Sequence, residues 1–216
     1  MNERLQSGEA ALLDAALLER ARAFDTATLH EASGKRGALP SAIKPVVAGF
    51  KLAGPAVTVH GPGGDNLWLH RAIYAAQAGD VLVVHVSGAT EHGYWGEVMS
   101  TAARARQLGG LVIDGCVRDG ALLAEVGFPV FARGLCIRGT GKDFDAHGFI
   151  NRPVLFGDVI VHAGDLVVGD ADGVVVLERG TVHATLDAAQ QRADAEQQIM
   201  ARLKQGESTL DIYGWH

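Results

Sequence analysis

Two short segments of the 216-residue chain place carboxylates and an arginine in glycine-flanked turns. The first is GYWGE, which ends at Glu97, and the second is DGCVRDG, which contains Arg118 and Asp119. Carboxylate oxygens are the ligands that Mg²⁺ prefers, and a guanidinium is a permanent cation that binds anionic oxygens. These residue types therefore predict metal-assisted chemistry on an anionic substrate.

Each of these side chains also has a purely structural explanation. Arg118 could pair with Asp114 or Asp119 and fix its own loop, and Glu97 could complement the positive end of a helix dipole. Zinc is disfavoured as the metal because the nine histidines form no H-E-x-x-H or similar ligand pairing. Residue types alone leave the structural alternatives open.

The elements around the two segments alternate between strand and helix patterns. Short apolar, β-branched runs predict buried strands at 81–86, 111–113 and 130–132, and helices are predicted at 93–108 and 120–125. This alternation predicts parallel strands with right-handed crossovers, whose strand-to-helix loops gather at one edge of the sheet. The two candidate segments are therefore expected to meet at that edge.

The rest of the chain supplies outer layers. After residue 139, Gly-Asp turns between short apolar runs predict β-hairpins without intervening helices. The other predicted elements are helices at 9–24, 26–33, 67–77 and 182–205, a strand pair or one bent strand at 50–60, and an irregular tail after residue 205. We predict one domain over residues 1–216, an α/β layered sandwich with a mixed sheet and with N-terminal and C-terminal helices.

Composition and charge limit the classes of partner. Hydrophobic residues make up 48% of the chain and charged residues 20%, which is typical of a folded domain. The net charge of −6 disfavours non-specific nucleic-acid binding, which needs a basic surface. The longest apolar runs fall far short of the roughly 20 residues of a membrane span. With two cysteines and no secretion signal, a cytoplasmic protein with reduced thiols is expected.

The motifs together resemble those of a known family. The chain contains GYWGE, followed after twenty residues by Arg118-Asp119. It also contains the segments GGDNLWLHRAI and GDLVVGDADGVVV. Over about residues 25–214 this pattern resembles the 4-hydroxy-4-methyl-2-oxoglutarate aldolase and RraA-like family, with Glu97 where Asp is commoner. The resemblance implies an RraA-like fold of the swivelling-domain type.

The resemblance also implies an activity. It is that of a class II aldolase cleaving 4-hydroxy-4-methyl-2-oxoglutarate or 4-carboxy-4-hydroxy-2-oxoadipate to pyruvate and a 2-oxo acid, and decarboxylating oxaloacetate. By the same resemblance Asp119 would hold Mg²⁺ or Mn²⁺, Glu97 would contact the metal through water, and Arg118 would bind the keto oxygen of the pyruvyl group.

Further implied residues concern substrate binding and assembly. The backbone amides of Val98 and Met99, which follow Gly96 at a helix start, would receive the pyruvate carboxylate. The family implies a homotrimer or a dimer of trimers with the active site at a subunit interface. Glu196 is the candidate acidic residue that a neighbouring subunit would contribute, and its alternative is a solvated helix face.

Other functions remain to be weighed against this one. A class I aldolase would need a buried lysine, and of five lysines only Lys51 has a strand-like context. The turn HGPGGDN lacks a nucleotide-binding spacing, so Asp65 and Asn66 are expected to cap the next helix. A position of this loop at the border of the active site stays open. His92 either reaches the substrate or is a satisfied loop histidine. A different class of function is a non-catalytic RraA-like regulator that binds an RNA-degradation enzyme.

Overall fold

An eight-stranded mixed sheet forms the centre of the computed structural model, which describes residues 13–216. The strands are β1 (Lys44–Pro45), β2 (Leu52–His60), β3 (Val81–His85), β4 (Gly110–Ile113), β5 (Cys116–Val117), β6 (Val130–Ala132), β7 (Gly134–Leu135), β8 (Phe149–Ile150), β9 (Val154–Phe156), β10 (Val159–Val161), β11 (Leu166–Asp170) and β12 (Gly173–Leu177). The order in the central sheet is β1-β6-β4-β3-β2-β11-β12, and β8 pairs with β2.

Helices cover the sheet and extend beyond it. They are α1 (Ala15–Arg22), α2 (Thr26–Ala32), α3 (Leu67–Ala75), α4 (Glu97–Ala105), α5 (Gly120–Val126), α6 (Val182–Lys204) and α7 (Thr209–Tyr213), with a 3₁₀ turn at Arg179–Thr181. None of the helices within the described part of the chain is long and apolar enough to cross a bilayer.

The parallel part of the sheet has the buried, β-branched character that its sequence predicts. Strands β2, β3, β4 and β6 are parallel neighbours, and β11 adds antiparallel to β2. Every residue from Val81 to Val84 is fully buried, because α3 and α4 cover one face of the sheet and the β9–β10 hairpin covers the other. A third apolar cluster packs α1, α2 and α6 against β11 and β12.

The α/β layered class and most elements are confirmed, and of the two alternatives for 50–60 the single strand holds, as β2. Three elements differ: the β11–β12 hairpin joins the central sheet instead of forming a separate layer. Helix α4 begins at Glu97, four residues after the predicted start, and the tail after residue 205 contains α7. The first part of the predicted helix 9–24 lies outside the described residues, and its remainder is α1.

Parallel pairing brings the two candidate segments to the same edge. β3 and β4 are adjacent and in register from Val81 opposite Gly110 to Val84 opposite Ile113. The loops that follow both strands therefore leave the sheet on one side, where parallel α/β sheets place their ligands.

Candidate active site

Backbone hydrogen bonds join the loop before α4 to the loop before α5. The Arg118 N–H donates to the Trp95 carbonyl at 2.8 Å, and the Tyr94 N–H donates to the Cys116 carbonyl at 3.1 Å. A third contact involves a side chain, because the Glu97 N–H donates to Oδ2 of Asp119 at 3.1 Å. The predicted meeting of Glu97, Arg118 and Asp119 is confirmed at the level of these loops.

Two glycines allow this close approach. A Cβ atom on Gly96 would lie 2.2 Å from Oδ2 of Asp119, and one on Gly93 would lie 2.5 Å from the Cys136 carbonyl and 3.1 Å from Cβ of Arg118. Real Cβ atoms do not approach other atoms so closely. The spacing G-Y-W-G in the sequence therefore reflects the packing of one loop on the other.

Two buried aromatic rings hold the loop between these glycines. The Tyr94 hydroxyl donates to the Ala89 carbonyl at 2.5 Å and accepts from the Gly64 N–H at 2.8 Å. The Trp95 indole N–H donates to the Ser100 hydroxyl at 2.7 Å. Both rings are buried, and burial raises the pKa of Tyr94. These anchors explain why α4 begins only at Glu97.

Asp119 has an unusual backbone and does not cap its own helix. Its φ of 62° lies in the left-handed region, which is uncommon for residues other than glycine. An aspartate at this N-cap position ordinarily accepts from its own helix, but here the carboxylate accepts from the N–H of Glu97 at the start of α4. The carboxylate is thereby directed toward the other loop, and such strain is typical of functional sites.

Arg118 pairs with Asp119 and not with Asp114. Asp114 forms a salt bridge with Arg133, whose Nε lies 2.5 Å from Oδ1 of Asp114. Arg118 Nε lies 3.7 Å from Oδ2 of Asp119, and the two side chains are 52% and 34% exposed. This long, open contact leaves the guanidinium accessible for an anionic ligand beside the carboxylate.

A cavity of about 280 Å³ opens at this point. Five predicted site residues lie on its walls: Gly96, Val98, Met99, Arg118 and Asp119. Glu97 contributes its backbone N–H to Asp119, and its exposed side chain is not one of the walls. The cavity therefore unites the start of α4 with the Arg118-Asp119 pair.

Sequence reasoning missed the opposite walls of the cavity. They are formed by Asn66 and His70 of the α3 region and by Gly139, Thr140 and Lys142 of a later segment. Asn66 is 7% exposed, and its amide donates to the Tyr94 carbonyl at 2.9 Å. Its Oδ1 atom is buried and accepts no hydrogen bond from any residue between 13 and 216. The motif GGDN contains this residue, and the sequence indicated a helix cap in a loop that could border the active site, without a role for Asn66 itself.

Electrostatics at the missed wall affects His70. Burial lowers its pKa, the Lys142 ammonium lowers it further, and the Asp65 carboxylate raises it. The net pKa is below the ordinary value of 6.5, so His70 is a neutral imidazole at neutral pH. The cavity thus carries the cations of Arg118 and Lys142 together with one exposed carboxylate.

The other candidates lie outside the cavity or act differently. Asp65 caps α3 as predicted, through the Leu67 N–H at 2.8 Å, whereas the Asn66 side chain does not. Lys51 is exposed and is not a wall, and the lysine on the cavity is Lys142. His92 is also not a wall, and its buried Nδ1 has no partner among the described residues.

A family model described as Aldolase/RraA, of the RraA-like type, matches residues 10–176. The chain belongs to the RraA-like family. The match spans both candidate loops and the strands that carry them.

Named relatives of this RraA-like chain point to two functions. A Halalkalibacterium halodurans protein carrying the name "Putative 4-hydroxy-4-methyl-2-oxoglutarate aldolase" is 36% identical over 176 residues, which are 81% of this chain and 83% of that one. A Streptomyces coelicolor protein described as an unusual member of the RNase ES inhibitor RraA protein family has a TM-score of 0.74 and 28% identity, over 88% of this chain and 98% of that one.

The fold of this RraA-like chain is also shared more widely. An uncharacterised Pseudomonas syringae protein superposes with a TM-score of 0.84 at 24% identity and covers 99% of this chain and 100% of that one. At this level of identity the likeness concerns the fold alone. The shared fold includes α6 and the C-terminal tail.

The residues of the RraA-like site fit a hydrated divalent cation. Mg²⁺ commonly binds through one or two carboxylates and keeps several waters. Asp119 offers a partly exposed carboxylate on the cavity, and the orphaned Oδ1 of Asn66 would accept a hydrogen bond from a bound water or a ligand hydroxyl. Residues 13–216 contain no cluster of three His, Cys, Asp or Glu side chains that could hold a metal ion.

Glu196 lies on the exposed part of α6 in the RraA-like chain. Its carboxylate pairs with Arg192 at 2.9 Å, one helical turn away. It is not a wall of the cavity in its own chain. A role for Glu196 in a neighbouring subunit stays a prediction.

Proposed function

We propose that this chain is a divalent-metal-dependent pyruvate aldolase that cleaves 4-hydroxy-2-oxo dicarboxylic or tricarboxylic acids and decarboxylates oxaloacetate. The observation that carries the proposal is the arrangement of Arg118 and Asp119 beside the N-terminus of α4, on one cavity. The bound metal, Mg²⁺ or Mn²⁺, would be held by Asp119 with Glu97 reached through water, and would supply Lewis-acid stabilisation of negative charge.

The first task of the site is to bind the pyruvyl carboxylate. Helix α4 begins at Glu97, and its N-cap Gly96 has no side chain to cap it. The Glu97 N–H donates to Asp119, whereas no side chain among the described residues accepts from the N–H groups of Val98 and Met99. Amides at a helix N-terminus bind anions. Val98 and Met99 lie on the cavity wall, and their amides are the proposed carboxylate donors.

The second task is to stabilise the charge that develops. Aldol cleavage removes the proton of the C4 hydroxyl, breaks the C3–C4 bond and leaves the electron pair on the enolate of pyruvate, which then takes a proton at C3. Arg118 would donate to the enolate oxygen, the position at which negative charge grows. Loss of CO₂ from oxaloacetate leaves the same enolate, so one site would serve both reactions.

The third task is to recognise the far end of the substrate. Lys142 and His70 form the wall opposite Arg118 and Asp119, and Lys142 adds a second cation to the cavity. A second carboxylate on the substrate would be attracted to this cation. We therefore assign a small 2-oxo dicarboxylate or tricarboxylate as the substrate class.

Assembly belongs to the proposal as well. Exposed apolar side chains surround the cavity, because Val98 on its wall is 76% exposed and Ile137, beside the cavity, is 96% exposed. Leu122 and Leu135, next to the Asp119 turn, are also exposed. Such a patch is typical of a protein interface. We propose a homotrimer or dimer of trimers in which Glu196 of a neighbouring subunit approaches the site.

A regulator of RNA degradation is the second candidate. The likeness to the Streptomyces coelicolor inhibitor-family protein favours it. A regulator acting through its outer surface does not require Arg118 and Asp119 to face a cavity. The intact pair therefore favours the enzyme.

The test is pyruvate release from 4-hydroxy-4-methyl-2-oxoglutarate, 4-carboxy-4-hydroxy-2-oxoadipate and oxaloacetate, with Mg²⁺ and with EDTA. We expect metal-dependent turnover that Asp119→Asn abolishes and that Asp145→Asn, an exposed carboxylate outside the cavity, retains. Borohydride with substrate should leave the enzyme active, since no Schiff base is involved. Absence of turnover in folded, metal-loaded protein would favour the regulator. Inactivation by borohydride would indicate a Schiff base on a lysine, for which Lys142 is the lysine on the cavity wall.

A further inference from the structure

A buried carboxylate behind the cavity connects its two missed walls. Asp65 is 5% exposed and is not itself a wall. Its Oδ1 accepts from the Leu67 N–H at 2.8 Å, at the start of α3, and its Oδ2 accepts from the Asp143 N–H at 2.5 Å. One side chain therefore binds both the helix that carries His70 and the segment that carries Lys142.

The segment bound in this way is residues 138–143, which we call the strap. Backbone hydrogen bonds also hold it: the Gly93 N–H donates to the Arg138 carbonyl at 2.8 Å, and the Gly141 N–H donates to the Gly64 carbonyl at 2.7 Å. No helix or named strand includes the strap. Its position over the cavity therefore depends on individual hydrogen bonds and not on a continuous ladder.

The hydrogen bond from the Asp143 N–H to Asp65 lies next to the strap residue Lys142, which lines the cavity. Lys142, on the cavity wall, directly precedes Asp143, whose N–H is the donor. After Asp143, where the strap ends, the next hydrogen bond to α3 is from the Trp68 indole N–H to the Ala146 carbonyl at 3.1 Å. Loss of the Asp65 bond would free the chain on the C-terminal side of Lys142.

We propose that Asp65 is a positioning residue that fixes the distance between the α3 wall and the strap wall of the cavity. It holds Lys142 opposite Arg118 without touching substrate. This role rests on the proposed function, because it matters for catalysis only if the cavity binds the anionic substrate assigned above. Asp65 then determines how well the far end of the substrate is held, whereas Arg118 and Asp119 perform the chemistry on the pyruvyl end.

Asp65→Asn is the most informative variant. An asparagine carbonyl can still cap α3 through the Leu67 N–H, but its NH₂ group cannot accept from the Asp143 N–H. The matched control is Asp143→Asn, which changes the exposed side chain of the strap and retains the backbone N–H that Asp65 binds. Should Asp65→Asn fail to fold, Asp65→Glu, which keeps a carboxylate, would be compared in its place.

Hydrogen exchange and kinetics measure the link directly. In Asp65→Asn we expect amide exchange of residues 138–145 to be roughly tenfold faster, the size expected for one hydrogen bond to a charged group. KM for the dicarboxylic substrate should rise about as much while kcat changes little, because the pyruvyl end is bound elsewhere. The control should match wild type in both measurements.

The outcomes separate the two proposals. Wild-type exchange and KM in Asp65→Asn would overturn the positioning role, as would equal effects in Asp143→Asn. If the wild-type protein turns over none of the three acids, the proposed function fails, and the exchange result still decides whether Asp65 links the two walls.

Discussion

At the scale of single residues, the site depends on atoms that are absent as much as on those present. Gly96 leaves the space that the Asp119 carboxylate occupies, and the left-handed backbone of Asp119 turns that carboxylate toward the Glu97 N–H. The missing side chain of Gly96 and the strained backbone of Asp119 together allow one loop to pack on the other. They place the charged pair at a helix N-terminus, where an anionic ligand is stabilised.

Gly96→Ala tests this packing. The new Cβ would lie 2.2 Å from Oδ2 of Asp119, so the carboxylate must move and metal-dependent turnover should fall by on the order of 10²-fold. Steady-state kinetics with a Mg²⁺ titration measures the effect. Gly180→Ala is the control, because a Cβ there meets nothing within 4 Å and its φ is not positive. Equal activity of both variants would show that Asp119 need not occupy this position.

Lys142→Met tests the charge balance of the cavity. Removing the cation should raise the His70 pKa toward 6.5, because Lys142 lowers it. An NMR titration of the His70 ring measures the change, with Lys35→Met, a lysine beside Glu31 outside the cavity, as the control. An unchanged His70 titration would place the Lys142 ammonium away from the imidazole.

At the scale of elements, the sequence predicted what periodicity and turn chemistry encode. The runs at 81–86, 111–113 and 130–132 are buried strands because both of their faces are covered, and the parallel order follows from the helices between them. The start of α4 was placed too early because Tyr94 and Trp95 suit a helix as well as a buried loop. The hydrogen bonds that hold the loop, from the Gly64 N–H to the Tyr94 hydroxyl and from the Trp95 indole to Ser100, leave no trace in the apolar pattern.

The missed walls of the cavity have a different cause. Asn66, His70 and Lys142 come together because the strap pairs with residues 64–66 through backbone groups. Backbone hydrogen bonds of this kind leave no side-chain pattern in a single sequence. The predicted loops therefore supplied half of the cavity, and tertiary pairing supplied the other half.

The β11–β12 turn offers a test of how α2 is anchored. Burial alone would raise the pKa of Asp170, but hydrogen bonds from the Thr26 N–H and hydroxyl and from the Asp172 and Gly173 N–H groups outweigh it and lower the pKa. Because the Asp170 pKa is lower in the folded state, the charged group stabilises the protein at pH values above its unfolded pKa near 3.8. This stabilisation is lost as the pH falls through the folded pKa.

Asp170→Asn should therefore destabilise the fold at pH 7 by about 1 kcal/mol, a modest value because the group is partly exposed to solvent. The difference from wild type should shrink as the pH falls below about 4 and vanish below the folded pKa, where Asp170 loses its charge. Urea unfolding at pH 7 and at acid pH measures it. Asp172→Asn, in the exposed part of the same turn, should cost much less. A constant difference across pH would mean that the charge of Asp170 is not involved.

At the scale of the whole molecule, the exposed apolar surface predicts association. Val98, on the cavity wall, is 76% exposed, and Ile137, two residues before the wall residue Gly139, is 96% exposed in a single chain. Sedimentation equilibrium should give three or six times the 22.7 kDa chain mass, and Ile137→Asp should weaken the assembly more than Ile160→Asp on the distant β9–β10 hairpin. A monomer at micromolar concentration would contradict the shared-site arrangement and the role proposed for Glu196.

The central claim is that Arg118 and Asp119 stabilise the enolate of pyruvate with a divalent cation. The direct measurement is exchange of the pyruvate methyl protons with deuterated solvent, followed by proton NMR. The account predicts loss of the methyl signal with wild-type protein and Mg²⁺, and retention of the signal with EDTA, with Arg118→Lys and with Asp119→Asn. A persistent methyl signal with folded, metal-loaded wild-type protein, or rapid exchange in Asp119→Asn, would contradict it.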